Sequence, residues 1–190
     1  MDLGSKVRCE MGDIDDLHFA DNTFDYVMCQ VVFTFVPHKR ALSEVRRVLK
    51  HDGVFAGLEL CWRRLPPDPL RERTARILGC KKLDFHSLLG WVGTLRTAHF
   101  SVARAEEFPI RVFSPAGLLH GEAWANSLRI VAKLMRQRAS RVRMAEIWSH
   151  FSRSRDYYSC VVFSGSKQAK GQVKLKLQGN CLGNIAYSRP

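Results

Sequence analysis

The sequence predicts an α/β fold, and three observations carry that prediction. Residues 24–36 (FDYVMCQVVFTFV) and 54–60 (VFAGLEL) are nearly continuous apolar runs rich in β-branched and aromatic side chains; such runs suit strands buried on both faces. Between them, residues 41–49 (ALSEVRRVL) set Leu42, Val45, Val48 and Leu49 at helical spacing, with Glu44, Arg46 and Arg47 outside that stripe. Strand, helix and strand joined by short connections imply a right-handed parallel crossover. At 190 residues, the chain is long enough to bury one sizeable core.

The elements follow in order. Residues 6–11 alternate, with Val7 and Cys9 as the apolar members, and predict a short strand ending at Gly12-Asp13. An acidic loop comes next, and Asp21-Asn22 is a turn signal. Only the first half of 24–36 needs to be strand, because Pro37 breaks the run; Asp52-Gly53 ends the helix that follows. Beyond Cys61 and Trp62, residues 63–69 (RRLPPDP) continue neither strand nor helix, since proline removes a donor and fixes φ. Residues 70–79 and 86–99 read as helices, and 100–112 as a strand interrupted at Pro109. Ser114-Pro115 opens a long helical region. Within 128–151, Leu128, Val131, Leu134, Met135, Val142, Ala145 and Trp148 track one face, and Arg129, Lys133, Arg136, Arg138, Arg141 and Arg143 populate the other. Residues 157–164 (YYSCVVFS) predict a final strand. The tail, 169–190, is basic and free of acidic residues, and is expected to be poorly ordered.

Composition narrows the class. With 46% hydrophobic and 25% charged residues, wholesale disorder and collagen-like repeats are excluded. The formal net charge is +12, unevenly placed: residues 1–60 hold 7 basic and 10 acidic side chains, a net of −3, and the remainder carries +15. No apolar run approaches the roughly 20 residues of a membrane span, and the first ten residues lack a secretory hydrophobic region, so a cytoplasmic location is expected. The six cysteines form no CxxC pair, which predicts reduced, mostly buried thiols. No two of the seven histidines stand in HxxxH or HxH spacing, so no metal is expected.

One ordered pattern spans residues 7–60: Gly12-Asp13, Asp16-Leu17-His18-Phe19, Asp21-Asn22, Phe24-Asp25, and Arg47-Val48-Leu49-Lys50-His51-Asp52-Gly53, followed by the strand at 54–60. It resembles the later motifs of class I S-adenosylmethionine-dependent methyltransferases, in the type 11 group, and residues 157–167 resemble that family's closing strand. The resemblance implies a Rossmann-like sheet of order 3-2-1-4-5-7-6. It implies S-adenosylmethionine as cofactor, with the Asp13 carboxylate accepting the adenine amine, the backbone of Ile14 beside it, and Cys29 and Gln30 near the methionine portion. A carboxylate at a strand's carboxyl end faces the crevice where open α/β sheets bind ligands; equally, Asp13 reads as a simple turn residue and Gln30 as an ordinary strand end.

Two family features are missing from the sequence: the glycine-rich GxGxG loop after the first strand, and the acidic residue ending the second. The sheet is therefore expected to be incomplete, lacking its first two βα units, with a helical insertion before the last strand. Residues 1–168 are then the carboxyl-terminal portion of the domain, with the acceptor-site and helical region at about 65–155. The family's Glu-His ahead of Val-Pro is replaced by Thr34-Phe35-Val36-Pro37, and His38 reads as a solvated helix-start residue.

No catalytic residue is nominated, because methyl transfer from a sulfonium needs positioning more than acid–base help. Glu59, His86 and His120 are bases on chemistry alone and read more simply as structural or surface residues. Trp91, Phe100, Phe108, Phe113 and Trp124 suit either an apolar acceptor pocket or the core. The leading function is methylation of a small molecule by this chain, or by a protein of which it is the carboxyl-terminal portion, with a partner chain as one source of the missing strands. The alternatives are an inactive truncated methyltransferase and a non-catalytic basic module whose face from Arg129 to Arg143 meets nucleic acid or another polyanion.

Overall fold

The computed structural model describes residues 7–80, 84–110, 136–167 and 174–176. Strand β1 (Phe24–Gln30) leads into helix α1 (His38–Val48) and the long strand β2 (Leu49–Trp62); helices α2 (Asp68–Leu78) and α3 (Leu88–Thr97) precede β3 (Ser101–Pro109); helix α4 (Arg138–Arg153) and one 3-10 turn lead to β4 (Tyr158–Ser166), and β5 (Lys174–Lys176) comes last. The sheet order is β1-β2-β4-β3-β5. β1 and β2 are parallel, β4 runs antiparallel to both β2 and β3, and β5 joins β3 in parallel. The first four strands thus take the order expected for family strands 4-5-7-6.

The helical periodicity read from the sequence explains how α1 sits. Ala41, Leu42, Val45 and Val48 are buried, and the first three join one core with Phe55, Phe163, Trp91, Leu95 and Phe100. A second apolar cluster, Trp62, Ile77, Phe85, Phe151 and Tyr158, holds α2 and α4 to the end of β2. At Gly57 the sheet and ring layer meet so closely that a Cβ would collide with the ring of Phe163, its partner across β4.

Several expectations are corrected. Residues 7–12 form no strand, and Val7 and Met11 are 62% and 100% exposed; the described sheet offers them no neighbour, and an unpaired strand leaves its backbone ladder unsatisfied. β1 is buried on one face only: Cys29 is buried, whereas Tyr26 and Met28 are 77% and 81% exposed. Its outer edge pairs with no other strand among the described residues. Helix α1 ends at Val48, before Asp52-Gly53, and the chain is already extended at Leu49; the register jumps from Phe24↔Leu49 to Tyr26↔Val54, so the intervening residues loop out of the ladder. On α4 the apolar face of Val142 and Trp148 is exposed, and His150 and Phe151 are the buried residues, because α4 packs by its last turns. Residues 174–176 pair with β3 within the tail expected to lack order.

Candidate functional site

The carboxyl end of β1 is organised by one buried carboxylate. Glu59, fully buried in β2, accepts the backbone N–H groups of Val32 at 2.9 Å, Phe33 at 3.1 Å and Thr34 at 3.3 Å, and the Thr34 hydroxyl at 3.2 Å. These four donors fill the lone-pair sites of an ionised carboxylate. Burial raises the Glu59 pKa, and the bonds from Phe33, Val32 and Thr34 oppose the rise; since every partner is a donor, the geometry suits the charged form. The turn they clamp contains Val31 at φ 53°, a left-handed conformation that a β-branched residue adopts only where its surroundings over-determine it. Glu59 is thus a structural anchor for the strand-end loop rather than a base, the second of the two readings drawn from the sequence.

A second anchor holds the acidic loop. Arg47 donates to Glu44 through both Nε and Nη2, to Asp21 at 2.8 Å, and to the carbonyls of Leu17 and Phe19. Glu44 in turn accepts the Leu17 N–H at 2.9 Å. Hydrogen bonding from Arg47, despite some desolvation, holds the Glu44 carboxyl down to about 2. The arginine of the Arg47-Val48-Leu49-Lys50 motif therefore ties the Asp16–Asp21 loop to α1.

Among the sequence-predicted cofactor residues, Asp13 is exposed and its Oδ1 accepts the Asp15 N–H at 2.9 Å, closing a local turn. Ile14 is partly buried against the core cluster that contains Cys29. Burial, reinforced by the Glu59 charge, pushes the Cys29 thiol up to about 11, so it is no nucleophile near neutral pH. Gln30 is exposed at the end of β1. Ile14 and Cys29 are thus brought to one cluster, while Asp13 and Gln30 face outward. The five described cysteines are free: Cys29 and Cys61 are buried, Cys80 and Cys160 half-buried, and Cys9 exposed.

The large cleft lies elsewhere. It runs beside α1, is lined by Thr34, His38, Cys80, Asp84, His86 and Thr94 among others, and includes none of those four residues. At about 1610 Å³ it exceeds the ~300–1,000 Å³ of a small-ligand pocket and is an open groove. His38 is not solvated: its Nε2 donates to the Phe33 carbonyl at 2.8 Å, and its Nδ1 meets His86 Nε2 at 2.9 Å. Asp84 Oδ1 stands 3.9 Å from His86 Nε2. This trio escaped sequence reading because His38 and His86 lie 48 positions apart, on a helix and in a loop, and no local spacing rule connects them.

Trp91 and Phe100 are core residues, at 0% and 3% exposure, and Phe108 is exposed. His120, Phe113, Trp124, and the basic run before Arg136 lie outside the described residues. Arg138 and Arg141 are exposed, and Arg143 pairs with Glu146 and the Ile77 carbonyl. No helix of the described residues is long and apolar enough to cross a membrane.

Comparison with known proteins agrees with the fold. A family described as a methyltransferase domain matches residues 2–57. An uncharacterized methyltransferase-like protein of Schizosaccharomyces pombe is 31% identical over 86 residues, covering 45% of this chain and 32% of its own length. The solved MccD protein is 23% identical with a TM-score of 0.61, over 83% of this chain and 66% of its own. The geranyl diphosphate C-methyltransferase of Streptomyces coelicolor, solved with Mg2+, geranyl diphosphate and S-adenosyl-L-homocysteine, is 14% identical with a TM-score of 0.56, over 88% and 55%. The chain spans a third or less of the curated relatives it matches. The family resemblance read from the sequence is borne out over residues 2–57, and the solved structures show the fold.

Proposed function

We propose that this chain, whose residues 2–57 match a methyltransferase-domain family, contributes the β1-to-β5 side of an S-adenosylmethionine-dependent methyltransferase acting on a small molecule. The observation that carries the reading is the strand order β1-β2-β4-β3, with no strand paired to the outer edge of β1 among the described residues. In the family order, the strand bearing the glycine-rich loop pairs with the strand equivalent to β1. The exposed Tyr26 and Met28 give that half of the sheet a surface to pack on, whether it comes from a partner chain or from a segment joined to this one.

The residues present fit one side of the cofactor. Asp13 offers a carboxylate acceptor for an exocyclic amine, on a loop that Arg47 and Ile14 hold against the core. Gln30 and the Val31 turn present a backbone edge that Glu59 keeps rigid. The close-approach glycine loop is supplied by no segment of this sequence. When bound, S-adenosylmethionine supplies an electrophilic methyl group for in-line displacement. This chain's residues position and shield, the contributions that carry much of such a rate.

Calorimetric titration of the full chain with S-adenosylmethionine tests the reading. Saturable binding that Asp13→Ala weakens without a change in melting temperature supports it. The absence of binding by the chain, both alone and joined to a glycine-rich strand–loop segment, overturns it.

A further inference from the structure

We propose that His38, Asp84 and His86 form a binding site for a divalent transition-metal ion, with coordination positions left open to the cleft beside α1. This goes beyond the methyltransferase reading and does not depend on it.

The donor set is two imidazoles and one carboxylate, and one ligand atom from each lies within 4.8 Å of the others. His38 Nδ1 and His86 Nε2 are 2.9 Å apart, and His86 Nε2 and Asp84 Oδ1 3.9 Å. Ligand atoms bound at ~2.0–2.2 Å in tetrahedral geometry sit about 3.3–3.5 Å from one another. The two imidazole nitrogens must part by a few tenths of an ångström, and the exposed Asp84 carboxylate must close from 3.9 Å on His86 and from within 4.8 Å on His38, which rotation of the His86 and Asp84 side chains supplies.

The second observation is how His38 is oriented. Its Nε2–H donates to the Phe33 carbonyl at 2.8 Å, and this fixes the tautomer whose lone pair is on Nδ1, the atom turned toward His86. A metal-ligating histidine commonly anchors its other ring nitrogen in this way. The anchor is itself rigid, because the Phe33 N–H is bound to buried Glu59. The fully buried ring of Trp91 lies 5.0 Å from the His38 ring and 5.2 Å from that of His86, so one side of the trio is walled by an apolar surface. The other side is the cleft, which all three residues line. In the ion-free chain, His86 Nε2–H donates to His38 Nδ1; an ion takes that proton's place, and the proton moves to His86 Nδ1. Three protein ligands and an accessible fourth position are the arrangement of an open site that takes water or a ligand oxygen.

Titration of the full chain with Co2+, followed by its visible d–d absorption and by competition with Zn2+, tests the proposal. One saturable site per chain is expected, without the sulfur-to-cobalt charge-transfer bands that Cys80 ligation would add. Asp84 is exposed, so Asp84→Asn should leave the circular dichroism unchanged and weaken binding at least ~10-fold; His86→Gln should weaken it more, and His18→Gln should not change it. No saturable binding, thiolate bands, or binding unaltered in both Asp84→Asn and His86→Gln would overturn the site. None of these outcomes bears on S-adenosylmethionine binding, which calorimetry reads separately.

Discussion

Glu59 Oε1 accepts the Val32 N–H at 2.9 Å across 27 residues of sequence, and that bond joins the middle of the sheet to the loop where the candidate cofactor edge begins. Three further donors complete the carboxylate's shell. Glu59→Ala leaves those neutral donors buried and unpaired, at about 1–3 kcal/mol for each that finds no water, and is expected to cost more than about 3 kcal/mol in all. Glu59→Gln keeps one oxygen but turns an amide donor toward backbone N–H groups, at about 1–3 kcal/mol. Chemical denaturation measures both; equal stability of wild type and Glu59→Gln would show that the shell is not the anchor it is argued to be.

Arg47 binds the acidic loop through Leu17, Phe19 and Asp21 at once. Arg47→Lys cannot reproduce that fan of donors, so amide exchange over residues 17–21 should quicken in Arg47→Lys nearly as much as in Arg47→Ala. The Glu44 pKa, held near 2 in the fold by its bond to Arg47, lies below the ordinary value of about 4.3. Its contribution is complete above that ordinary value and is lost as pH falls toward 2. Acid unfolding followed by circular dichroism should therefore begin at higher pH in Arg47→Ala.

Thr74, His150 and Tyr158 close a buried polar triangle between α2, α4 and β4, with contacts of 3.0, 2.6 and 2.8 Å. Burial lowers the His150 pKa, and the nearby Arg73 charge adds to that effect. A depressed histidine pKa means the unfolded chain binds the proton first, so stability is complete above about 6.5 and declines as pH falls below it. Melting temperatures between pH 8 and 5.5 should show this fall, and His150→Gln should flatten it.

Gly57 faces the Phe163 ring where a Cβ has no room. Gly57→Ala should cost about 1–3 kcal/mol by overpacking. Adding Phe163→Leu should recover part of that loss, since neighbouring substitutions are not additive. Additive losses in the double variant would show that the ring is not what excludes the methyl group.

Much of the fold was legible in the sequence because it rests on local periodicity. The α1 stripe, the apolar run of β2 and the prolines at 66, 67 and 69 each reflect a single element's own chemistry, and the motif order from Gly12 to Gly53 pointed to the family resemblance. The errors share a cause. The strand at 6–11 and the second buried face of β1 presuppose neighbours, and burial belongs to a pair of elements rather than to one. The α4 face failed similarly, since helical spacing of Val142 and Trp148 says which residues share a side and nothing about what covers it.

The sequence by itself therefore determined the α/β class, the parallel strand–helix–strand unit and the methyltransferase resemblance of residues 7–60, because those follow from spacing over a few tens of residues. Only the tertiary structure decided that Glu59 is a clamp rather than a base, that Arg47 binds the acidic loop, and that His38 meets His86 and Asp84. Each of those roles is set by contacts between groups about 25 or more residues apart along the chain, and such contacts exist only once the sheet has brought its strands together.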